Sequence, residues 1–303
     1  TYPAIRAPGS LVFTDVRDCR LREVSVATGT EFPLPRIATS CELWAPPVGE
    51  RLAYGLGGSF GGAVPFRFVD LNHVRRDLGA FQALHGMIAW SADGQRAGWC
   101  DHSGKGFDYE LGRELRRVRG CPQAYTPDSR PIANDGSVLG RDGGRAFRTS
   151  GDVDFASFGR DGSVALLVNG ERLERWQGGR RTAWTSLPPP LTSRPPILSP
   201  DNCAALFQLG PNIHLVELAC FRGRDSFTNV SPDNCLDRRR VTIARCARFR
   251  SPRTFPGTAA AWSPDGRWVA VAVDEETILF HRVVGRYDVV RWDARARALA
   301  WLG

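Results

Sequence analysis

Residues 261–274 read AWSPDGRWVAVAVD, and the pattern recurs along the chain. Residues 89–100 read AWSADGQRAGWC, residues 156–168 ASFGRDGSVALLV, and residues 197–209 ILSPDNCAALFQL. Each copy is a short apolar strand, a tight turn and a second strand of alternating or continuous apolar residues, the pattern of an antiparallel hairpin. The turn has its own chemistry. Proline pre-sets φ at the first corner, aspartate suits the second, and glycine accepts positive φ. Asparagine is the next best residue in that left-handed position, so Ser199-Pro200-Asp201-Asn202 is the same turn in another spelling.

A third strand follows each hairpin, and often a fourth. After 268–273 come TILFHR (277–282) and YDVVRW (287–292); after 96–100 come FDYEL (107–111) and LRRVRG (115–120). Four antiparallel strands repeated every 40 residues or so (about the length of a propeller blade) imply an all-β propeller spanning 1–303 as one domain. The 32 glycines and 21 prolines speak against a helical alternative. Seven inner strands can be counted, at 41–46, 86–92, 123–128, 153–159, 195–200, 258–264 and 297–303. The last has no outer strands after it, while the N-terminus opens with outer strands at 11–16, 21–27 and near 32–39 that lack an inner one. Pairing the C-terminal strand with the N-terminal strands completes a blade and closes a ring, which removes an exposed sheet edge. The expected fold has seven four-stranded blades. Six is the alternative, because the segment 123–150 is short and weakly patterned.

Trp262-Ser263-Pro264-Asp265-Gly266 carries a full W-S-P-D-G turn, and Trp90-Ser91-Ala92-Asp93-Gly94 carries it in part. On these motifs the chain resembles the TolB-type propellers, bacterial relatives of the WD-repeat propellers. The resemblance covers the repeat architecture and not that family's separate N-terminal domain. It implies a propeller of bacterial origin and little about activity, since propellers host binding, scaffolding and catalysis alike.

The eight cysteines are Cys19, Cys41, Cys100, Cys121, Cys203, Cys220, Cys235 and Cys246, with no C-x-x-C among them. An even count without metal spacing favours disulfides and an oxidising compartment. Cys19 and Cys100 fall in loops between second and third strands, and Cys41 and Cys121 follow fourth strands, so 19–41 and 100–121 are the consistent pairs. Cys203 and Cys220 are expected to face each other across a hairpin turning at Gly210-Pro211, which leaves Cys235 with Cys246. Exchange of partners among these last four stays open. Residues 221–240 fit no strand and read as an insertion in the sixth blade, ahead of a fourth strand at 241–249.

No apolar run approaches the roughly 20 residues of a membrane-spanning helix. Net charge is +8; of the 40 basic residues Lys105 is the only lysine and the rest are arginine. Their scatter favours coding bias over a specific nucleic-acid surface, which concentrates charge on one face. The run Asp237-Arg238-Arg239-Arg240 reads as a solvated face, with weak attraction to acidic polymers left open.

Motifs that carry chemistry are few. Gly57-Gly58-Ser59-Phe60-Gly61 matches a nucleophile elbow in letters, but a strand follows it where the motif needs a helix, so a hairpin loop is the better reading. The five histidines show no metal-ligand spacing; His214 and His281 fall in third strands. Loops between second and third strands hold Asp101 with His102, Asp15 with Asp18, and Asp274, Glu275 and Glu276. Gathered on one rim, such residues could bind a cation or act as acid and base; as solvated turn formers they would do neither. Trp44, Trp90, Trp262 and Trp301 sit at equivalent inner-strand positions and read as packing between blades. Trp176, Trp184 and Trp292 on outer strands are candidates for an exposed patch.

The sequence therefore points to a secreted or periplasmic, non-catalytic propeller that binds another envelope or extracellular protein, with no cofactor and no metal. A hydrolase or lyase working at the channel mouth through acidic rim residues is the alternative. A carbohydrate-binding propeller comes third.

Overall fold

The computed structural model describes the chain apart from residues 35–39, 47–48, 57–62, 72–75, 85–87, 92, 127, 138–148, 150, 152, 159–163, 170–171, 178–179, 187–196, 201–203 and 218–253. The described residues form strands and turns, with no helix. In chain order the strands are β1 (Ser10–Thr14), β2 (Leu21–Ser25) and β3 (Glu31–Phe32), then β4 (Leu43–Trp44), β5 (Arg51–Gly55), β6 (Ala63–Asp70) and β7 (Arg76–Leu84). Next come β8 (Ala89–Trp90), β9 (Arg96–Cys100), β10 (Gly106–Glu110) and β11 (Leu115–Val118), followed by β12 (Pro122–Tyr125) and β13 (Pro131–Ala133). β14 (Val153–Phe158), β15 (Val164–Val168), β16 (Arg172–Gln177) and β17 (Arg180–Ser186) precede β18 (Ile197–Leu198), β19 (Ala204–Leu209), β20 (Asn212–Glu217) and β21 (Thr254–Pro256). The chain ends in β22 (Ala259–Trp262), β23 (Trp268–Val273), β24 (Thr277–Arg282), β25 (Asp288–Trp292) and β26 (Ala298–Leu302).

These strands make consecutive antiparallel meanders: β4–β7, β8–β11, β14–β17, β18–β21 and β22–β25, with β12–β13 as a two-stranded sheet. The remaining sheet, of order β26-β1-β2-β3, draws its strands from both chain ends. Ser10 stands opposite Leu302 and Thr14 opposite Ala298. The sheets are numbered here from this one, which is the first. Four-stranded meanders packed face to face in chain order are the architecture of a β-propeller.

The seventh sheet is apolar on both faces because a sheet packs on each side of it. In β23, Val269 and Val271 pack with Leu206, Leu215 and Phe255 of the sixth sheet. The alternate residues Ala270 and Ala272 pack with Leu11, Phe13 and Val24 of the first. This two-sided burial explains the unbroken apolar run at 268–273. Phe66, Phe68, Trp99 and Tyr109 fill the boundary between the second and third sheets. Leu52, Tyr54, Val12 and Leu302 fill that between the first and second. Ile132, Val153 and Leu166 join the fourth to the fifth.

The repeated turn is closed by its own side chains. The Ser263 hydroxyl donates to Asp265 Oδ1 at 2.5 Å and accepts the Trp268 amide at 2.9 Å. Ser91 does the same with Asp93 (2.6 Å) and the Arg96 amide (2.9 Å). Thr126 takes this role beside Asp128, accepting the Arg130 amide at 3.0 Å. Ser199 accepts the Ala204 amide at 2.9 Å. Gly266, at φ +67, holds the left-handed position the motif reserves for glycine.

Three expectations need correction or fall outside these residues. The hairpin at Gly210-Pro211 sets Leu209 opposite Asn212 and Ala204 opposite Glu217. That register is two residues away from one placing Cys203 opposite Cys220. The cause is a two-residue turn whose first corner, Gly210, has φ +59, as in a type II′ turn. The described strand beside β20 is β21, where Phe255 buries its ring against the seventh sheet while its neighbours Thr254 and Pro256 face out; the expected fourth strand at 241–249 lies outside the described residues. Cys203, Cys220, Cys235, Cys246 and the segment 221–240 lie outside the described residues, as does the loop 57–61, which joins the antiparallel pair β5 and β6.

Candidate functional site

Along antiparallel meanders, loops from second to third strands emerge on the same face as the connectors from one sheet to the next. Two disulfides tie such elements together. Cys19, in the β1–β2 loop, is bonded to Cys41, in the connector to β4, with Cα atoms 4.6 Å apart. Cys100, at the end of β9, is bonded to Cys121, in the connector to β12, at 5.3 Å. Both separations lie in the range a disulfide accepts. Cys19 and Cys41 have φ of 54° and 65°, so both loops turn through left-handed backbone at the bond.

Asp15, Asp18 and Asp101 on this face are used by their own loops and the strands that flank them. Asp15 Oδ1 accepts the Arg17 amide at 3.0 Å, and Oδ2 accepts from Arg22 Nε at 3.1 Å. Asp101 Oδ1 accepts the Ser103 amide at 2.8 Å, the Ser103 hydroxyl at 2.7 Å and the Lys105 amide at 3.0 Å. Burial acts to raise the Asp101 pKa, but the Ser103 and Lys105 hydrogen bonds outweigh it and hold the carboxyl below its ordinary value. Asp18 accepts the Arg20 amide at 3.1 Å and pairs with its guanidinium at 2.7 Å. Asp274 and Glu275 form the two corners of a hairpin turn at φ 49° and 54°, and Glu276 lies 3.6 Å from Arg295.

Asp15 thus lies in a cleft between the seventh and first sheets, while Asp101 and exposed His102 sit on the third. Among the described residues no three His, Cys, Asp or Glu side chains converge on one point. The expected rim residues share a face without forming a joint site.

The cleft has a volume of about 230 Å³ and is lined by Tyr2, Phe13, Asp15, Arg17, Arg22, Asp293, Ala294 and Arg295. Arg22 also pairs with Glu31 at 2.9 Å. Burial acts to lower the Arg22 pKa, and the charges of Glu31 and Asp15 more than reverse it. The Tyr2 hydroxyl is pushed above its usual range by burial first and by Glu31 next. Arginines with one buried carboxylate suit recognition of a negatively charged group better than proton transfer. Sequence reasoning missed Arg17, Arg22 and Arg295 because arginine is scattered throughout. It missed Tyr2 because nothing marks the N-terminal segment as folding back. Tyr2 does fold back, stacking on Trp292 at 4.8 Å, and the Trp292 indole donates to the Pro3 carbonyl at 2.8 Å. Trp292 is therefore buried, and no part of an exposed patch. Trp176 is half-buried, its indole donating to Glu174 at 2.8 Å.

No protein-family model matches the sequence, and no curated protein does. Among solved structures the chain is similar to the β-propeller domain of Myceliophteria thermophila Cps50 (Swd1), with a TM-score of 0.49 and 11% identity over 86% of this chain and 88% of that one. No helix among the described residues is long and apolar enough to cross a membrane.

Proposed function

We propose that this protein is a secreted or periplasmic, non-catalytic binding module. It is read as a bacterial propeller of the TolB type, with seven blades closed into a ring through β26. It presents its disulfide-bonded face to another envelope or extracellular protein.

The observation that carries this reading is the placement of the two disulfides. Cys19–Cys41 and Cys100–Cys121 fix equivalent loop–connector pairs on one face of two different sheets. Persistent disulfides belong to an oxidising compartment. Loops fixed in advance lose less conformational freedom when a partner docks, so more of the contact energy appears as affinity. Asp15, Asp18 and Asp101 on that face are engaged in their own turns, which suits a shaped contact surface better than acid–base chemistry.

Purification of the native protein from the envelope fraction of its source cells tests the reading. Alkylation without reductant should leave Cys19, Cys41, Cys100 and Cys121 unmodified, and native mass spectrometry should show a stoichiometric complex with a second protein. Alkylated cysteines together with a lone monomer would contradict it.

A further inference from the structure

The outer edge of the third sheet carries a feature that neither the disulfides nor the cleft uses. β11 and its flanks read RELRRVR over residues 113–119, four arginines to one glutamate. Every residue from Gly112 to Arg117 is exposed, and Leu115 has 43% of its surface in water. Arg113 pairs with Glu110 at 2.8 Å and Arg116 with Glu114 at 2.6 Å. Arg117 and Arg119 have no carboxylate partner among the described residues.

The hydrogen-bond phase of this edge can be read directly. Glu110 and Glu114 exchange both backbone bonds, at 2.8 and 3.2 Å. Bonded and non-bonded pairs alternate along an antiparallel ladder. Asp108 with Arg116 and Gly106 with Val118 are then the bonded pairs, while Leu115, opposite Tyr109, and Arg117, opposite Phe107, are not. Leu115 and Arg117 therefore turn their N–H and C=O groups outward, and no further strand lies beside β11 among the described residues.

We propose that β11 accepts an acidic, extended segment of a partner protein as an added strand. This deepens the binding-module reading and rests on it. The exposed backbone groups supply the ladder, as in other cases of strand addition. The arginines select the sequence: two copies of β11 set side by side would oppose like charges, whereas a strand rich in glutamate or aspartate would match them. The Cys100–Cys121 disulfide fixes the chain two residues beyond Arg119, so the edge is held in place before binding. Of the other outer strands, β3 has two residues, β21 ends in Pro256, Arg181 of β17 is held by buried Glu174 at 3.0 Å, and the one arginine of β25, Arg291, pairs with Asp293 at 2.8 Å.

The test uses the whole protein and a fluorescent synthetic peptide of alternating glutamate and threonine, with a lysine–threonine peptide and a single-stranded oligonucleotide as comparisons. Hydrogen exchange should slow at the Leu115 and Arg117 amides when the glutamate peptide binds, and the lysine peptide should not bind. Replacing both Arg117→Gln and Arg119→Gln should weaken binding about three- to tenfold, as expected for losing two exposed charge pairs. Leu115→Pro removes an outward N–H while keeping every arginine, so it should weaken binding as well; thermal unfolding checks that this variant folds. Absence of peptide binding, binding that leaves both amides unprotected, or undiminished binding to folded Leu115→Pro would overturn strand addition. Equal oligonucleotide binding without amide protection would reduce the edge to a charged patch and overturn it too. A native partner held at the disulfide-bonded face, together with failure of the peptide, would refute this proposal alone.

Discussion

The Tyr125 hydroxyl donates a 2.8 Å hydrogen bond to Asp108 Oδ1, joining β12 of the fourth sheet to β10 of the third. Asp108 is buried, and its carboxylate is held on the other side by the Arg96 guanidinium, whose Nε lies 3.1 Å from Oδ1 and whose Nη2 meets Oδ2. The acid thus bridges a basic group of its own sheet and a phenol of the next. Asp108→Ala would leave Tyr125 without its acceptor and Arg96 with Glu110 alone, at 3.3 Å, and breaking a buried pair in this way costs about 3–5 kcal/mol. Tyr125→Phe removes one hydrogen bond to a charged group and should cost about 1.5–3 kcal/mol. Urea denaturation of the two variants should rank them in that order.

Tyr125 also predicts an alkaline limit. Burial first, and then the Asp108 charge, raise its pKa well above the usual value of 10. The folded state therefore holds the phenolic proton more tightly than the unfolded chain. The stabilisation is complete below pH 10 and declines as pH rises toward the folded pKa, with a limiting slope of about 1.4 kcal/mol per pH unit. Denaturation curves above pH 10 should show a shallower decline for Tyr125→Phe than for the wild type.

His281 sets the acid limit. It lies buried in β24, with Nδ1 3.2 Å from the Tyr287 hydroxyl and its ring 4.6 Å from Phe255. Burial lowers its pKa from 6.5 to about 4. The neutral ring is the folded form, so its contribution is complete above pH 6.5 and is lost as pH falls toward 4. Partial solvent screening reduces the loss to on the order of 2 kcal/mol. A His281→Gln variant should lose less stability than wild type between pH 6.5 and 4, measured by chemical denaturation.

The disulfides enclose loops of 22 and 21 residues of chain. Loop-closure entropy gives each about 3 kcal/mol. The Cys19→Ser/Cys41→Ser and Cys100→Ser/Cys121→Ser variants should each lose about that much, and their combination should be nearly additive because the two loops share no residues. Denaturation in non-reducing buffer measures both.

The pairing of β26 with β1 makes a fifth stability test. Trp301 of β26 is buried, donates from its indole to the Pro8 carbonyl at 2.9 Å and meets Phe280 edge-on at 5.5 Å. Trp301→Ala should cost about 3–5 kcal/mol. A loss below 1 kcal/mol would show that the pairing of β26 with β1 contributes little.

Much of the architecture is legible in the sequence because the repeat has a local cause. The Ser–Asp pair and glycine of the W-S-P-D-G turn are chosen by hydrogen bonds within five residues, so the turn is legible where those residues stand; Thr126 with Asp128 closes the same turn inside a segment that looks weakly patterned. The pairing of Cys19 with Cys41 and of Cys100 with Cys121 follows from the same periodicity. Register is less legible: the two-residue turn at Gly210-Pro211 sets Leu209 opposite Asn212, two residues from the expected pairing, and only the hairpin geometry fixes it. The cleft was illegible because its arginines come from segments almost 280 residues apart, Arg17 and Arg295. The rim carboxylates are visible as residues, but the engagement of Asp15, Asp18 and Asp101 by neighbouring amides depends on loop conformation. The free edge of β11 needed the hydrogen-bond phase, which no residue pattern encodes.

Site-specific photo-crosslinking tests the central claim most directly. A benzophenone side chain in place of exposed His102, on the disulfide-bonded face, is compared with one in place of exposed Asp265, at the turn on the opposite face. In envelope preparations the account predicts a discrete protein adduct from position 102 and none from position 265. Adducts from position 265 alone would contradict it.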